Sequence, residues 1–449
     1  MTASLGTPWP AGAVRHEDGE VSFAGVRASA LAAEHGTPAY VLDEADLRAR
    51  ARRYRESFET AFAAIGTGVD VYYAGKAFLS MAVARWVSEE GLRVDTATGG
   101  ELAVALRAGV PGASIGLHGN NKSDDEIRAA LDAGVGRIIV DSLVEIDRVA
   151  RLAGAAGVVA PVMVRVTTGV HAGGHEYIST AHEDQKFGLS VAGEDSPALR
   201  ALRAVVARPE LRLLGIHSHI GSQILDPAGF AAAADKVLGL RAAFAAESGV
   251  LVDEVDLGGG FGIAYLPGEV ELDPVLVARV QAEAVAAACE RLGTAVPRVS
   301  IEPGRAVVGP TTATLYTVGT VKPVRLEDGR VRTYVSVDGG MSDNLRPALY
   351  GAAYHAELVS RRSDAEPVLA RVVGKHCESG DIVVHDVQLP GDVRAGDLLA
   401  VAATGAYGRS MASNYNLVPR PPVVAVSEGA SRVLVRRETV EDLLALDEG

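Results

Sequence analysis

The sequence predicts an α/β protein: an eight-stranded parallel (β/α)8 barrel followed by a mostly β segment. Three observations carry this. From about residue 43 to 310, helical patterns alternate with short apolar runs, as expected for βαβ units and a parallel sheet. The runs number eight, which suits a closed barrel. After about Val308 the texture changes to apolar runs broken by Gly, Asp and Pro. An open doubly wound sheet is the alternative for the first part.

The first ~40 residues read as loop and strand, and pairing with the C-terminal sheet is one option for them. Asp43 is a candidate N-cap for an Arg-rich amphipathic helix from Glu44 to about Ile65. The barrel runs follow: Val69–Ala74, Arg93–Thr96, Ser114–Leu117, Arg137–Val140, Val162–Val166, Leu213–His217, Glu254–Leu257 and Arg298–Ile301. Helical patterns separate most of them, at Gly100–Ala108, Asp124–Ala133, Leu143–Ala153, Gly229–Ser248 and Pro274–Leu292. The connection from about Thr167 to Arg212 is much longer than the rest and reads as a functional loop. Later strands are expected at Thr314–Pro323, Val331–Val337, Val368–Val373, Ile382–His385, Leu398–Ala402 and Val423–Val426, with a hairpin turn at Glu327-Asp-Gly.

The chain has 449 residues, 48% hydrophobic and 22% charged, with a net charge of −14. This is a globular composition long enough for more than one core. The acidic balance argues against a nucleic-acid or anionic-membrane surface. Two cysteines, Cys289 and Cys377, are too few for a disulfide framework and fit a reducing cytoplasm. No apolar run reaches the ~18 residues of a membrane span, and the N-terminus lacks the pattern of a signal peptide.

Polar and glycine-rich motifs gather at the C-terminal ends of the barrel runs, the rim where such folds place their chemistry. The first ends in Gly75-Lys76, the second in Asp95-Thr-Ala-Thr-Gly-Gly-Glu101 and the third in His118-Gly-Asn-Asn-Lys122. The sixth ends in His217-Ser-His219-Ile-Gly-Ser222-Gln, the seventh in Asp256-Leu-Gly258-Gly259-Gly260-Phe-Gly and the eighth in Glu302-Pro303-Gly304-Arg305. A lysine at a strand end is either an ordinary surface residue or an amine placed for Schiff-base chemistry. Gly258–Gly260 either makes a tight turn or exposes N–H groups to a phosphate, with Gly304-Arg305 extending that edge. Glu302 either pairs with Arg305 or faces a ring nitrogen. His219 is a structural histidine or a flat ring stacked on a flat cofactor.

Other candidates are weaker. His171, His175, Glu176 and His182 suggest a metal, but Gly173 and Gly174 break the helix such a site would need; no resident metal is expected. Cys289 reads as core. Lys375-His376-Cys377-Glu378 places a thiol beside a carboxylate, suited to proton transfer. Arg346, Tyr350 and Gly405-Ala-Tyr407 offer guanidinium and phenol groups for carboxylate or phosphate recognition.

Taken together, Tyr-Tyr-Ala-Gly-Lys76-Ala-Phe, His-Ser-His219-Ile-Gly-Ser222-Gln, Asp256-Leu-Gly-Gly-Gly260-Phe-Gly, Glu302-Pro-Gly-Arg305, Cys377-Glu378-Ser-Gly-Asp and Gly405-Ala-Tyr407 resemble the diaminopimelate decarboxylases. These are alanine racemase-like (fold type III) pyridoxal-phosphate enzymes. The resemblance runs from about Thr37 to Leu446, with the motifs in the family's order. It departs from about Gly408-Arg409 onward, where Leu417-Val418 stands in place of more polar residues, which leaves the packing of that loop open.

The resemblance implies a cofactor-binding barrel over 43–308. It also implies an all-β domain from 1–42 and 309–449 that contributes to the substrate site and dimer interface. It implies pyridoxal 5'-phosphate held by Lys76, with His219 against its ring and Glu302 at its nitrogen. Asp95, Ser222, Gly258, Gly259, Gly260, Pro303, Gly304, Arg305 and Tyr407 complete the cofactor site. Substrate carboxylates would meet Arg305, Arg346 and Tyr350, with Glu378 on the substrate amine and Tyr407 touching both ligands. Cys377 and Glu378 would reach in from the second subunit of a homodimer. The implied reaction is decarboxylation of meso-2,6-diaminopimelate to L-lysine in the cytoplasm. The rivals are an ornithine- or arginine-type decarboxylase, an alanine racemase, and a non-catalytic cofactor-binding protein.

Overall fold

The computed structural model describes residues 2–170 and 185–449. The His171, His175, Glu176 and His182 cluster lies outside the described residues. The chain forms two compact units: 50–262 with 271–304, and 1–49 with 263–270 and 305–449.

The first unit is the barrel. Its strands are β1 (Val69–Ala74), β2 (Arg93–Thr96), β3 (Ile115–Leu117), β4 (Arg137–Val140), β5 (Ala160–Thr167), β6 (Leu211–Ser218), β7 (Glu254–Asp256) and β8 (Arg298–Ile301). Neighbours pair in parallel around the ring, and β8 closes on β1 through Val299–Val69 and Ile301–Val71. The open-sheet alternative is therefore excluded. The strands are buried on both faces, which is why they read as near-continuous apolar runs.

Helices start where the sequence places short polar caps. Ser80 accepts from Val83 N–H ahead of α1 (Met81–Glu89), and Thr98 accepts from Glu101 N–H ahead of α2 (Gly99–Arg107). Ser123 and Glu126 form a reciprocal capping box on α3 (Asp124–Asp132). Ser142 caps α4 (Leu143–Ala156), and Asp273 caps Pro274–Leu292. The long fifth connection is not loop throughout: Ser196 caps a helix, Pro197–Val206, that packs on the barrel with five buried residues. Its Ala-, Arg- and Val-rich sequence carried the helical period, but the length of the connection masked it.

In the second unit, Ala39–Asp43 pairs antiparallel with Thr312–Leu315 and parallel with Val423–Val426. The N-terminal segment thus joins the C-terminal sheet through one strand only. Residues 3–27 make a separate four-stranded antiparallel sheet, a division the sequence reading did not anticipate. Trp9, Phe23, Leu31, Leu315 and Val424 share a core. The strands Thr312–Arg325 and Val331–Val337 form the hairpin turned by Glu327-Asp-Gly329, with Gly329 at φ +85°. Among the described residues, no helix is long and apolar enough to cross a membrane.

Candidate active site

The C-terminal ends of the barrel strands surround a cavity of ≈ 520 Å³. Lys76, Asp95, Arg165, His217, His219 and Glu302 line it. Lys76 follows β1 in a single 3-10 turn that lifts its side chain into the mouth, exposed while its neighbours Gly75 and Ala77 are buried. Ala74 and Asp95 are register partners, so the amine and this carboxyl leave adjacent strands. Ala74 N–H donates to Pro303 O at 3.1 Å and ties the Lys76 turn to the end of β8.

The cavity floor is polar and buried. His217 Nε2 lies 2.8 Å from Glu302 Oε1. His118 Nε2 lies 3.2 Å from Asp95 Oδ1 and 3.4 Å from Glu302 Oε1. Burial holds both His118 and His217 neutral, each with a pKa of about 3. The same burial pushes the Glu302 and Asp95 carboxyls up, with Asp256 reinforcing the shift at Asp95. Below them, Arg137 is fully enclosed: it donates to Asp256 at 3.1 Å, Ser300 at 2.9 Å and Tyr72 at 2.8 Å. Arg165 packs its guanidinium 4.4 Å from the Phe187 ring centre at the cavity wall.

His219 accepts a hydrogen bond at Nδ1 from Gly259 N–H at 3.2 Å. Burial, with the Lys76 charge adding to it, holds its pKa well below 6.5. The ring is therefore neutral with its proton on Nε2. A side chain at Gly259 or Gly260 would collide with backbone oxygens, 2.1 Å from Glu302 O and 2.4 Å from Gly221 O, and Gly260 sits at φ +108°. Only glycine lets β6, β7 and β8 end this close together. Ser222 is exposed beside this turn. Gly258–Gly260, the neutral ring of His219, the amine of Lys76 and the unpartnered buried Asp95 Oδ2 together suit a flat phosphorylated aldehyde.

The second unit holds a separate cluster of arginines and phenols. Arg305 Nη1 donates to Tyr265 Oη, and its guanidinium lies 4.8 Å from the Tyr407 ring centre. Arg346 donates to Tyr354 Oη and lies 4.8 Å over the Tyr265 ring. Tyr407 is held at φ +60°, a conformation costly for a non-glycine residue and typical of functional sites. Tyr350 ends the same short helix as Arg346 and is largely exposed.

Cys377 and Glu378 are exposed, on a loop that is itself pinned. Asp381 accepts from His376 N–H at 2.7 Å and Met341 N–H at 2.6 Å, and Asn416 Oδ1 accepts from Cys377 N–H at 3.4 Å. In the loop that departs from the family pattern, Asn416 and Leu417 take φ +53° and φ +56°, and Leu417 is exposed. Cys289 is buried in its helix.

The sequence reading passed over His118, His217 and Arg165 as site residues, and Tyr265 and Tyr354 altogether. For the first two the signal was present: both end barrel strands beside nominated residues. Arg165 stood inside an apolar run, where an arginine is rare unless it has a partner.

Residues 44–309 match the family described as "Pyridoxal-dependent decarboxylase, pyridoxal binding domain". The chain is 55% identical over 446 residues to the diaminopimelate decarboxylase of Mycobacterium tuberculosis, covering 98% of this chain and 97% of that one. It is 44% identical over 433 residues to that of Bacillus subtilis, covering 96% of each. The crystal structure of the M. jannaschii diaminopimelate decarboxylase in complex with L-lysine superposes with a TM-score of 0.88 at 32% identity, over 96% of each chain. With lysine, histidine, carboxylate and glycines on one rim, and relatives matching nearly end to end, the chain belongs to the pyridoxal-dependent decarboxylases and, within them, to the diaminopimelate decarboxylases.

Proposed function

We propose that the chain decarboxylates meso-2,6-diaminopimelate to L-lysine and CO2, the last step of lysine biosynthesis, in the cytoplasm. The observation that carries this is the barrel-mouth cavity in which Lys76, His219, Glu302 and the Gly258–Gly260 turn converge. Bound pyridoxal phosphate supplies an electron sink for the pair left behind when CO2 departs.

The chain's residues do the rest. Lys76 provides the amine that holds the cofactor. Ser222, Gly258–Gly260 and the turn Glu302-Pro303-Gly304-Arg305 receive its phosphate. The neutral His219 offers a flat uncharged face, and Glu302 holds a proton at the ring nitrogen, with His217 donating to its carboxylate. Asp95 flanks the amine of Lys76. Arg305, Arg346 and Tyr350 would take substrate carboxylates, Glu378 the substrate amine, and Tyr407 would touch both cofactor and substrate. Cys377, as its thiol, returns a proton to the α-carbon.

Cys377 and Glu378 act from a second subunit, so the active form is a homodimer with shared sites. Their exposure on a pinned loop supports this: a thiol used within its own chain would not need to face outward.

The test is Lys76→Ala. The variant should lose the visible absorption band of lysine-bound cofactor, and CO2 release should drop at least ~10³-fold. Retention of the band with normal turnover, no amine being added, would overturn the proposal.

A further inference from the structure

We propose that Tyr265 is a positioning residue that sets substrate specificity by holding Arg305 and Arg346 as one carboxylate clamp. The inference rests on the decarboxylase reading above and concerns a tyrosine that no motif nominated. Tyr265 lies in residues 263–270, which belong to the same compact unit as both arginines.

Tyr265 touches both guanidiniums. The hydroxyl accepts from Arg305 Nη1 and also hydrogen-bonds Arg346, whose guanidinium lies 4.8 Å from the ring centre. Tyr354 completes the arrangement, meeting the Tyr265 ring edge-on at 5.3 Å and accepting from Arg346 Nη1. Arg346 is 7% exposed, and among the described residues no carboxylate forms an ion pair with it. Phenol oxygens and aromatic faces orient a buried guanidinium and offset part of its lost hydration, but they bring no neutralising charge. Arginine stays cationic even when buried, and these phenols raise the Arg346 pKa further. A buried cation oriented by neutral groups is arranged to receive an anion from outside.

Carboxylate recognition by arginine depends on a fixed planar fork. Tyr265 fixes the two forks relative to each other, since one rigid ring touches both. A substrate with a carboxylate remote from the reacting carbon gains from that geometry. A substrate ending only in an amine, such as ornithine, gains nothing.

The experiment compares Tyr265→Phe with the unaltered holoenzyme. The ring stays, so the Arg346 stack is kept, and the hydroxyl's hold on both guanidiniums is lost. KM for meso-2,6-diaminopimelate should rise about 10-fold with kcat within about two-fold, a split that general destabilisation does not produce. In parallel, calorimetric titration with pimelate, a dicarboxylate without amines, should show binding at least about five-fold weaker in the variant. Tyr265→His, which keeps a polar ring atom, should fall between the two, and it serves if Tyr265→Phe proves unstable. An unchanged KM, a loss confined to kcat, or equal pimelate affinity would overturn the proposal. Should the unaltered enzyme release no CO2 from diaminopimelate, the assigned reaction fails while the pimelate comparison still decides the role of Tyr265.

Discussion

His217 Nε2 lies 2.8 Å from Glu302 Oε1, with both side chains enclosed beneath the cavity. The imidazole of the pair is neutral: burial holds its pKa at about 3. An unfolded histidine titrates near ~6.5. Between these values the unfolded chain binds a proton at this position that the folded chain refuses, so stability is lost as pH falls through this window. The slope is up to ~1.4 kcal/mol per pH unit. His217→Asn removes that slope. Thermal melts between about pH 6.5 and pH 5 should show Tm falling more steeply for the unaltered protein than for the variant. Parallel curves would refute the assignment.

Lys122 donates to Glu145 at 3.0 Å, Gly119 O at 2.6 Å and Ile139 O at 2.5 Å, with both charged groups buried. Removing one partner leaves the other charge uncompensated. Lys122→Met should cost about 3–5 kcal/mol in urea unfolding, and adding Glu145→Leu should recover much of the loss. If the double variant is as unstable as the single one, the pair is not the source of the cost.

Gly259→Ala places a Cβ 2.1 Å from Glu302 O, where no flexible side chain can yield. Strain of about 1–3 kcal/mol is expected, from overpacking alone. It should appear as weakened cofactor retention on dialysis, followed by absorbance. Gly239→Ala, inside the helix Ala228–Ser248 with nothing within 4 Å and no positive φ, is the control.

Cys377→Ala and Lys76→Ala should each be nearly inactive. Mixed and re-associated, they should regain about a quarter of full activity, since half the dimers then carry one intact site. No recovery, with mixed dimers shown to form, would place Cys377 in its own chain's site.

The barrel was legible because most strands carry their own record: an apolar run, a polar strand end and a helix, often capped by Ser, Thr or Asp. The interior polar layer was less so. Arg137, Arg165 and His217 sit in strands whose inward and outward positions are told apart only once β8 pairs with β1. At Arg346 the sequence offered Tyr350 as the phenol beside it for carboxylate recognition. The helix stops after five residues at Gly351, φ +62°, and the returning chain brings Tyr354 onto Arg346 instead.

The sequence by itself determined the alternation of strands and helices, the glycine turn, the lysine at the first strand end and the family pattern, because all of these are local in the chain. Only the tertiary structure decided which polar groups share a buried space. His118, His217, Asp95 and Glu302 come from four strands, and Tyr265 lies 81 residues from Arg346 by number. Their protonation and partners are set by burial and by contacts across the chain, and neither is written in any local stretch.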